Sequence, residues 1–340
     1  AITEQSFASE SGSVSIKSSH TDGDASYTLT YKADVDTDGD TLGSNIGLDQ
    51  TLSLAASKKV GKWTASATAS QSLMEDGQTA AISGDDDAVI TITDGSMTHK
   101  LGDASHLSTA EKTSDTTASG TVDAEARVDG FNGYSLGMAV GPGSLTIAVD
   151  MSHGTATKLM GDLSTALGVD GQHTGFGINF AGNVGADLSF TYATGSAKAH
   201  AGGSETARAN TMGLGVTLAM GDMTPFFSYG SLAISTTDDK EEYKESAMGL
   251  GLTMKMGSDS IVFAYTTDTQ TNSTDGTEDQ NATANGLELG YNTTVGAASL
   301  GVGYGSKSVK ADTGTWGDDG TARADGYNVT DIEVKMAFSF

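Results

Sequence analysis

The chain has 340 residues with 45 Gly, 2 Pro and no Cys, and a formal charge of -26 from 44 acidic against 18 basic residues. That balance repels phosphate backbones and excludes nucleic-acid binding, leaving cations as the natural partners. The missing cysteines exclude disulfides, thiolate metal sites and a Cys nucleophile. Abundant glycine with 37% hydrophobic residues disfavours a Leu-rich helical bundle and fits many short strands. No run approaches the ~18 apolar residues of a transmembrane helix, although alternating barrel strands cross a membrane without one. The chain opens at Ala1 without a Met or a basic, apolar leader. It therefore reads as a mature exported product whose signal peptide has been removed.

In chain order, residues 1–24 contain a strand-like stretch, Ser13-Val-Ser-Ile-Lys17. They read as an N-terminal extension, an extra strand or half of an extra hairpin. From about residue 25, tight turns fall near Val60-Gly-Lys62, Asp94-Gly95, Gly141-Pro-Gly-Ser144, Gly182-Asn-Val-Gly185, Gly221-Asp-Met223, Gly257-Ser-Asp-Ser260 and Gly296-Ala-Ala298. Longer acidic connections lie between them, near 36–45, 75–87, 103–133, 154–174, 198–210, 237–246, 271–284 and 310–326. Short turns on one rim and long loops on the other are the pattern of an outer-membrane barrel. The expectation is an all-β, transmembrane antiparallel β-barrel of about 16 strands. It forms one domain over residues 1–340, its strands running from near Tyr27 to Phe340.

The faces of these strands separate. Tyr27, Leu29 and Tyr31 oppose Thr28, Thr30 and Lys32; Met248, Leu250, Leu252, Met254 and Met256 oppose Gly249, Gly251, Thr253 and Lys255. At the end, Ile332, Val334, Met336, Phe338 and Phe340 oppose Asp331, Glu333, Lys335 and Ser339. In a soluble sandwich the apolar face would be core. So many strands carry more apolar surface than one such core absorbs, whereas a lipid-facing band takes all of it.

Other motifs read blandly. Gly133-Tyr-Ser-Leu-Gly137 matches a nucleophile elbow, but the alternation continues through Met138 and Val140 where a helix is needed, so Ser135 is an ordinary strand residue. The histidines at 20, 99, 106, 153, 173 and 200 lack metal spacing and read as surface or rim residues. Asp34, Asp36, Asp38 and Asp40 begin like a calcium loop, yet the twelfth position is Asn45 and the flanks are strands. That segment reads as a solvated acidic loop able to hold calcium weakly; no other cofactor is expected.

The stretch from Asp86 to Ala104, followed by a loop of roughly thirty residues and the hairpin Tyr134–Val140 with Leu145–Asp150, resembles the general porin family of proteobacterial outer membranes, in particular its alphaproteobacterial branch. The terminal Phe340 matches that family's ending, read during assembly. The resemblance implies a homotrimer of non-catalytic, water-filled channels for small hydrophilic solutes and ions in a Gram-negative outer membrane, in contact with lipid and lipopolysaccharide. It also implies narrowing by an in-folded third loop, here residues 104–133. Carried over by position, the constriction acids are Asp103, Glu111, Asp115, Asp123, Glu125 and Asp129, against Lys112 and Arg127. Family members face such acids with wall arginines, but this chain has Arg only at 127, 208 and 323, none in a predicted strand. Wall cations fall to Lys32, Lys100, Lys255 and Lys335, which implies a cation-preferring pore. Two competing readings are an acidic, calcium-responsive surface-array barrel and an outer-membrane barrel hydrolase.

Overall fold

The computed structural model describes residues 2–7, 11–37, 46–75, 78–79, 88–108, 128, 130–152, 171–199, 205–236, 241–274, 277–296, 298–311 and 327–338. Every regular element among them is a strand. In chain order these are β1 (Ile2–Phe7), β2 (Ser11–Asp22), β3 (Ala25–Thr37), β4 (Ile46–Val60), β5 (Trp63–Glu75), β6 (Gln78–Thr79) and β7 (Ala88–Thr93). Then come β8 (Met97–Ala104), β9 (Phe131–Val140), β10 (Gly143–Asp150), β11 (Gly171–Asn183), β12 (Asp187–Ala199) and β13 (Glu205–Thr217). The last are β14 (Met223–Thr236), β15 (Glu241–Met256), β16 (Asp259–Thr274), β17 (Thr277–Val295), β18 (Ala298–Ala311) and β19 (Tyr327–Phe338).

Successive strands pair antiparallel in one continuous meander. β6 and β7 take successive places against β5 and make a single crossing. The meander therefore has seventeen crossings from β2 to β19, preceded by the shorter β1. The count agrees with the expected barrel of about 16 strands, and the additional crossing is β2, which lies ahead of the expected start near Tyr27. β2 pairs with β3 along its whole length, from Ser11↔Asp36 to Asp22↔Ala25, so residues 1–24 hold strands and are not an extension. Strands also reach into three stretches expected to be loops, because β13 begins at Glu205, β15 at Glu241 and β17 at Thr277. Asp34 and Asp36 belong to β3, so the backbone there is extended where a calcium loop would curl.

All seven expected tight turns are present, each with a positive-φ glycine, and an eighth sits at Gly23. Their left-handed backbone suits glycine and keeps the hairpins short. An odd number of crossings leaves β2 and β19 running the same way, whereas β1 runs against both. Among the described residues no ladder joins β19 to β1 or β2.

The two faces of the sheet are inverted relative to a water-soluble protein. Thirty-one large apolar side chains are exposed among the described residues, including Leu29, Leu54, Ile90, Leu250, Phe263, Leu289 and Val334, while Glu288, Thr191, Thr211, Thr266 and Ser228 are fully buried. In water each exposed Val, Leu or Phe would forfeit about 1.5–3 kcal/mol. A lipid solvent removes that loss. On β15 the outward residues from Met248 to Met256 are apolar, and nine residues fall near the roughly 9–11 that a tilted strand needs to cross a bilayer. Beyond them Ser246, Lys244 and Glu242 project on the same side, and Lys244 pairs with Glu242 at 2.7 Å. At that boundary Tyr265 donates a hydrogen bond to Asn285 Oδ1 at 3.0 Å.

Replacing Leu289 by Arg should destabilise the folded chain in lipid vesicles by about 2–4 kcal/mol, whereas Ser53→Arg on the opposite face should cost much less. Urea titrations in vesicles measure both; equal losses would contradict the assignment of faces.

Candidate functional site

The inner face is defined by what docks on it. At the end of β8, Gly102 has φ of 120°, a conformation closed to residues with a side chain, and a Cβ there would collide with the Ala88 carbonyl. The segment 105–108 then leaves the ladder and crosses the sheet. The Ser108 carbonyl accepts hydrogen bonds from Asn179 Nδ2 on β11, at 3.1 Å, and from Thr191 Oγ1 on β12. From β8 to β11 is three strand spacings, about 14 Å, and four extended residues just span it. Leu107 buries in a cluster with Phe131, Ala148, Ala193, Ala197, Ala207, Ala209, Leu232 and Ile234, with Val128 and Tyr243 packed against it. Gly177 lies directly beneath it, and a Cβ at that position would meet Leu107 Cδ1 and push the leucine aside.

His106 locks the start of this crossing. The Gly102 carbonyl can only accept, so Nε2–H donates to it at 2.9 Å and Nδ1 faces Ser135 Oγ at 2.9 Å. The ring also stacks on Phe131 with centroids 4.7 Å apart. Burial, the largest influence, holds the imidazole below its ordinary pKa; the Gly102 carbonyl and Asp103 oppose this, while Lys100 adds to it. His106 thus corrects the expectation that every histidine lies on the surface or rim. His99 departs too, being half-buried in β8. Ser135 is a strand residue, as expected, although it touches a histidine. With Ser135 4% and His106 5% exposed, the pair has no room for a substrate and acts as an anchor.

Following the register outward from Ser135 fixes the lumenal parity of each strand. Lys32, Lys100, Lys255 and Lys335 all lie on it, as do Lys17 and Lys307. Lys100 donates to the Ser105 carbonyl at 3.3 Å, and Lys335 pairs with Glu333 at 3.2 Å. Asp103 pairs with Asn132 on the parity opposite Gly102 and Ala104, while acting electrostatically on His106. Glu111, Asp115, Asp123, Glu125, Asp129 and Phe340 lie outside the described residues, as do Asp38 and Asp40. Arg208 is in β13, facing outward beside Ala207 and Ala209, which corrects the expectation that no arginine occupies a strand.

The structure adds inner-wall acids that sequence reasoning missed. Glu245 on β15, Asp268 on β16 and Glu288 on β17 are buried on the lumenal face, as is Lys307 on β18. By register Lys307 stands level with Gly286 and Thr266, with Asp268 one rung toward the long loops and Glu288 one rung toward the tight turns. These charges lie on the polar parity of long strands, and that signal is readable once strand bounds are known. Buried residues on this face run from β9 to β18; β2 to β8 carry none among the described positions, so the covered and open halves of the wall are distinct.

The depressed His106 pKa sets a sign. Its contribution to stability is complete above the ordinary histidine value of about 6.5 and falls as pH drops below it toward the folded value, because the unfolded chain binds the proton first. Urea titrations across this range should show the decline in the native chain and a flatter profile in His106→Gln; identical slopes would remove His106 as the titrating anchor.

No protein-family model and no curated protein matches the chain. Solved structures do. OmpT, an outer membrane protein of Vibrio cholerae, superposes with TM-score 0.54 at 9% identity, covering 99% of each chain. The anion-selective porin from Comamonas acidovorans superposes with TM-score 0.51 at 14% identity, covering 97% of this chain and 100% of that one. At such identities the likeness is one of fold. Together with the apolar outer band it makes this chain a β-barrel protein of the bacterial outer membrane.

Proposed function

We propose that the chain is a general porin, of the alphaproteobacterial type that its sequence resembles, and that it acts as a passive, non-catalytic, cation-preferring diffusion channel assembled as a homotrimer. The observation that carries the reading is the inward crossing of segment 105–108, the start of the third long connection, onto the wall of β11 and β12. A polar inner face lined by hydroxyls such as Ser53, Ser66 and Thr91 supports a water-filled passage, and small hydrophilic solutes are its cargo. The formal charge of -26, with acids at 111, 115, 123, 125 and 129, supports enrichment of cations. One structural neighbour is anion-selective by name, so the sign of selectivity resides in side chains and not in the barrel. Lysines on β2, β3, β8, β15, β18 and β19 and acids on β15, β16, β17 and β19 share the lumenal parity, so charges of both signs line the inner face.

Planar-bilayer recordings should give stepwise open channels whose reversal potential in a salt gradient favours cations. Neutralising Asp115, Asp123 and Glu125 together should move that potential toward zero; an unmoved potential would exclude the third connection as the selectivity element. Weak divalent binding at the acidic stretch containing Asp34, Asp36, Asp38 and Asp40, bridging lipopolysaccharide or neighbouring copies, belongs to the same reading. Millimolar calcium should then raise Tm, and an unchanged melting curve after chelation would remove it.

A further inference from the structure

The outer face near the tight-turn rim carries a constellation at odds with the apolar band around it. Lys58, Trp63, His99 and Tyr134 share the parity of Leu54, Ile90 and Leu101, the face turned to lipid. Lys58, Ala65, Ile92 and His99 stand on one rung across β4, β5, β7 and β8. His99 Nδ1 and the Tyr134 hydroxyl share a hydrogen bond of 2.7 Å, and the His99 and Trp63 rings lie 6.2 Å apart. At the rim Lys62 Nζ sits 5.0 Å above the Trp63 ring and 2.9 Å from Asp94 Oδ2. Asp94 is fixed in turn, its Oδ1 accepting from the backbone N–H of Ser96 at 3.0 Å and of Met97 at 2.8 Å.

Ionisable and hydrogen-bonding side chains facing lipid are costly unless a polar partner meets them. Here the partner has a defined sign. Of the eight tight turns, the β4–β5 turn concentrates Lys58, Lys59 and Lys62 within five positions, while the β2–β3 turn holds Asp22 and Asp24 and the β7–β8 turn holds Asp94. Lys62 is neutralised by Asp94, but Lys58 makes no ion pair among the described residues and projects outward beside an exposed Val60. Ile90 and Ile92, 48% and 40% exposed, continue from this point toward the middle of the band. Such a surface has a charged end at headgroup level and an apolar track below it.

We propose that Lys58, Lys62, Trp63, His99 and Tyr134 form a binding site for an anionic phospholipid of the leaflet that meets the tight-turn rim, with the phosphodiester near Lys58 and His99 and an acyl chain along Ile92 and Ile90. Lysine supplies the charge, the His99–Tyr134 pair supplies one donor to a phosphate oxygen, from whichever of His99 Nε2 and the Tyr134 hydroxyl their shared bond leaves free, and Trp63, one rung nearer the rim, flanks the headgroup. The site depends on the membrane location of the barrel and not on ion conduction.

Trp63 is itself the reporter, since the chain's other tryptophan is Trp316. Full-length Trp316→Phe protein in vesicles should have its fluorescence quenched more by brominated phosphatidylglycerol than by brominated phosphatidylcholine. The expected ratio of relative binding constants is roughly fivefold for one lysine at an anionic surface. Lys58→Gln with His99→Gln should bring it near unity, and Lys58 has no ion pair whose loss would disturb folding. Equal quenching by the two lipids, or a preference that survives both substitutions, would overturn the site. A Trp63 that neither lipid quenches would overturn it in favour of contact with a second copy of the chain. Conductance of the same vesicles tests the channel reading separately.

Discussion

Hydrocarbon offers no hydrogen bonds, and every other property of this chain is arranged around that fact. A strand in lipid must give its N–H and C=O groups to neighbours on both sides, which is why the described residues form one uninterrupted meander. The same solvent accepts apolar side chains on the outer face, so the hydrophobic effect no longer drives them into a core. Alternation then delivers the complementary face, rich in Ser, Thr, Gly and charge, to the interior. A parity shift of one residue anywhere would exchange the two.

The interior is specific as well as polar. Small residues make room where the chain needs to pass close to itself: Ala148, Gly177, Ala193 and Ala209 form the floor on which Leu107 rests. Asn179 and Thr191 satisfy the backbone carbonyl of Ser108, so the crossing segment does not leave an orphaned acceptor inside the barrel. His106 supplies the corner, with one ring nitrogen on each side of the turn. The Ser–His contact that sequence motifs associate with hydrolysis is here a fastening, because both groups are covered and a fastening needs no access.

The rims divide the remaining work. Tight turns keep one end rigid through side-chain ties such as Asp94 with Lys62, and Asp259, which accepts from Tyr291 and Thr293 at 2.8 and 2.6 Å. The other end carries strands that outrun the lipid band, as β15 does beyond Met248. There the outward positions turn polar, with Ser246, Lys244 and Glu242 following Met248 on one face.

Alternation and glycine turns were enough to read the barrel, its tight rim and the lumenal parity of Lys32, Lys100, Lys255 and Lys335 from the amino acids alone, because strand parity is a local property with a period of two. The same local rule explains why residues 1–24 read equally as an extension or an extra strand: β2, Ser11–Asp22, is mostly Ser, Thr and Lys around Val14 and Ile16, and only its ladder to β3 makes it a crossing. His106, Leu107 and Asn179 gave no sign of their role, for Ser135 lies 29 positions from His106, Gly177 70 from Leu107 and Ser108 71 from Asn179, and these meet only when the sheet curves. Likewise Glu245, Asp268 and Glu288 are ordinary polar-face residues until three strands set them side by side. Sequence determined which face each residue takes; tertiary structure decided which residues share a wall, since neighbours across the sheet are set by register and curvature and not by distance along the chain.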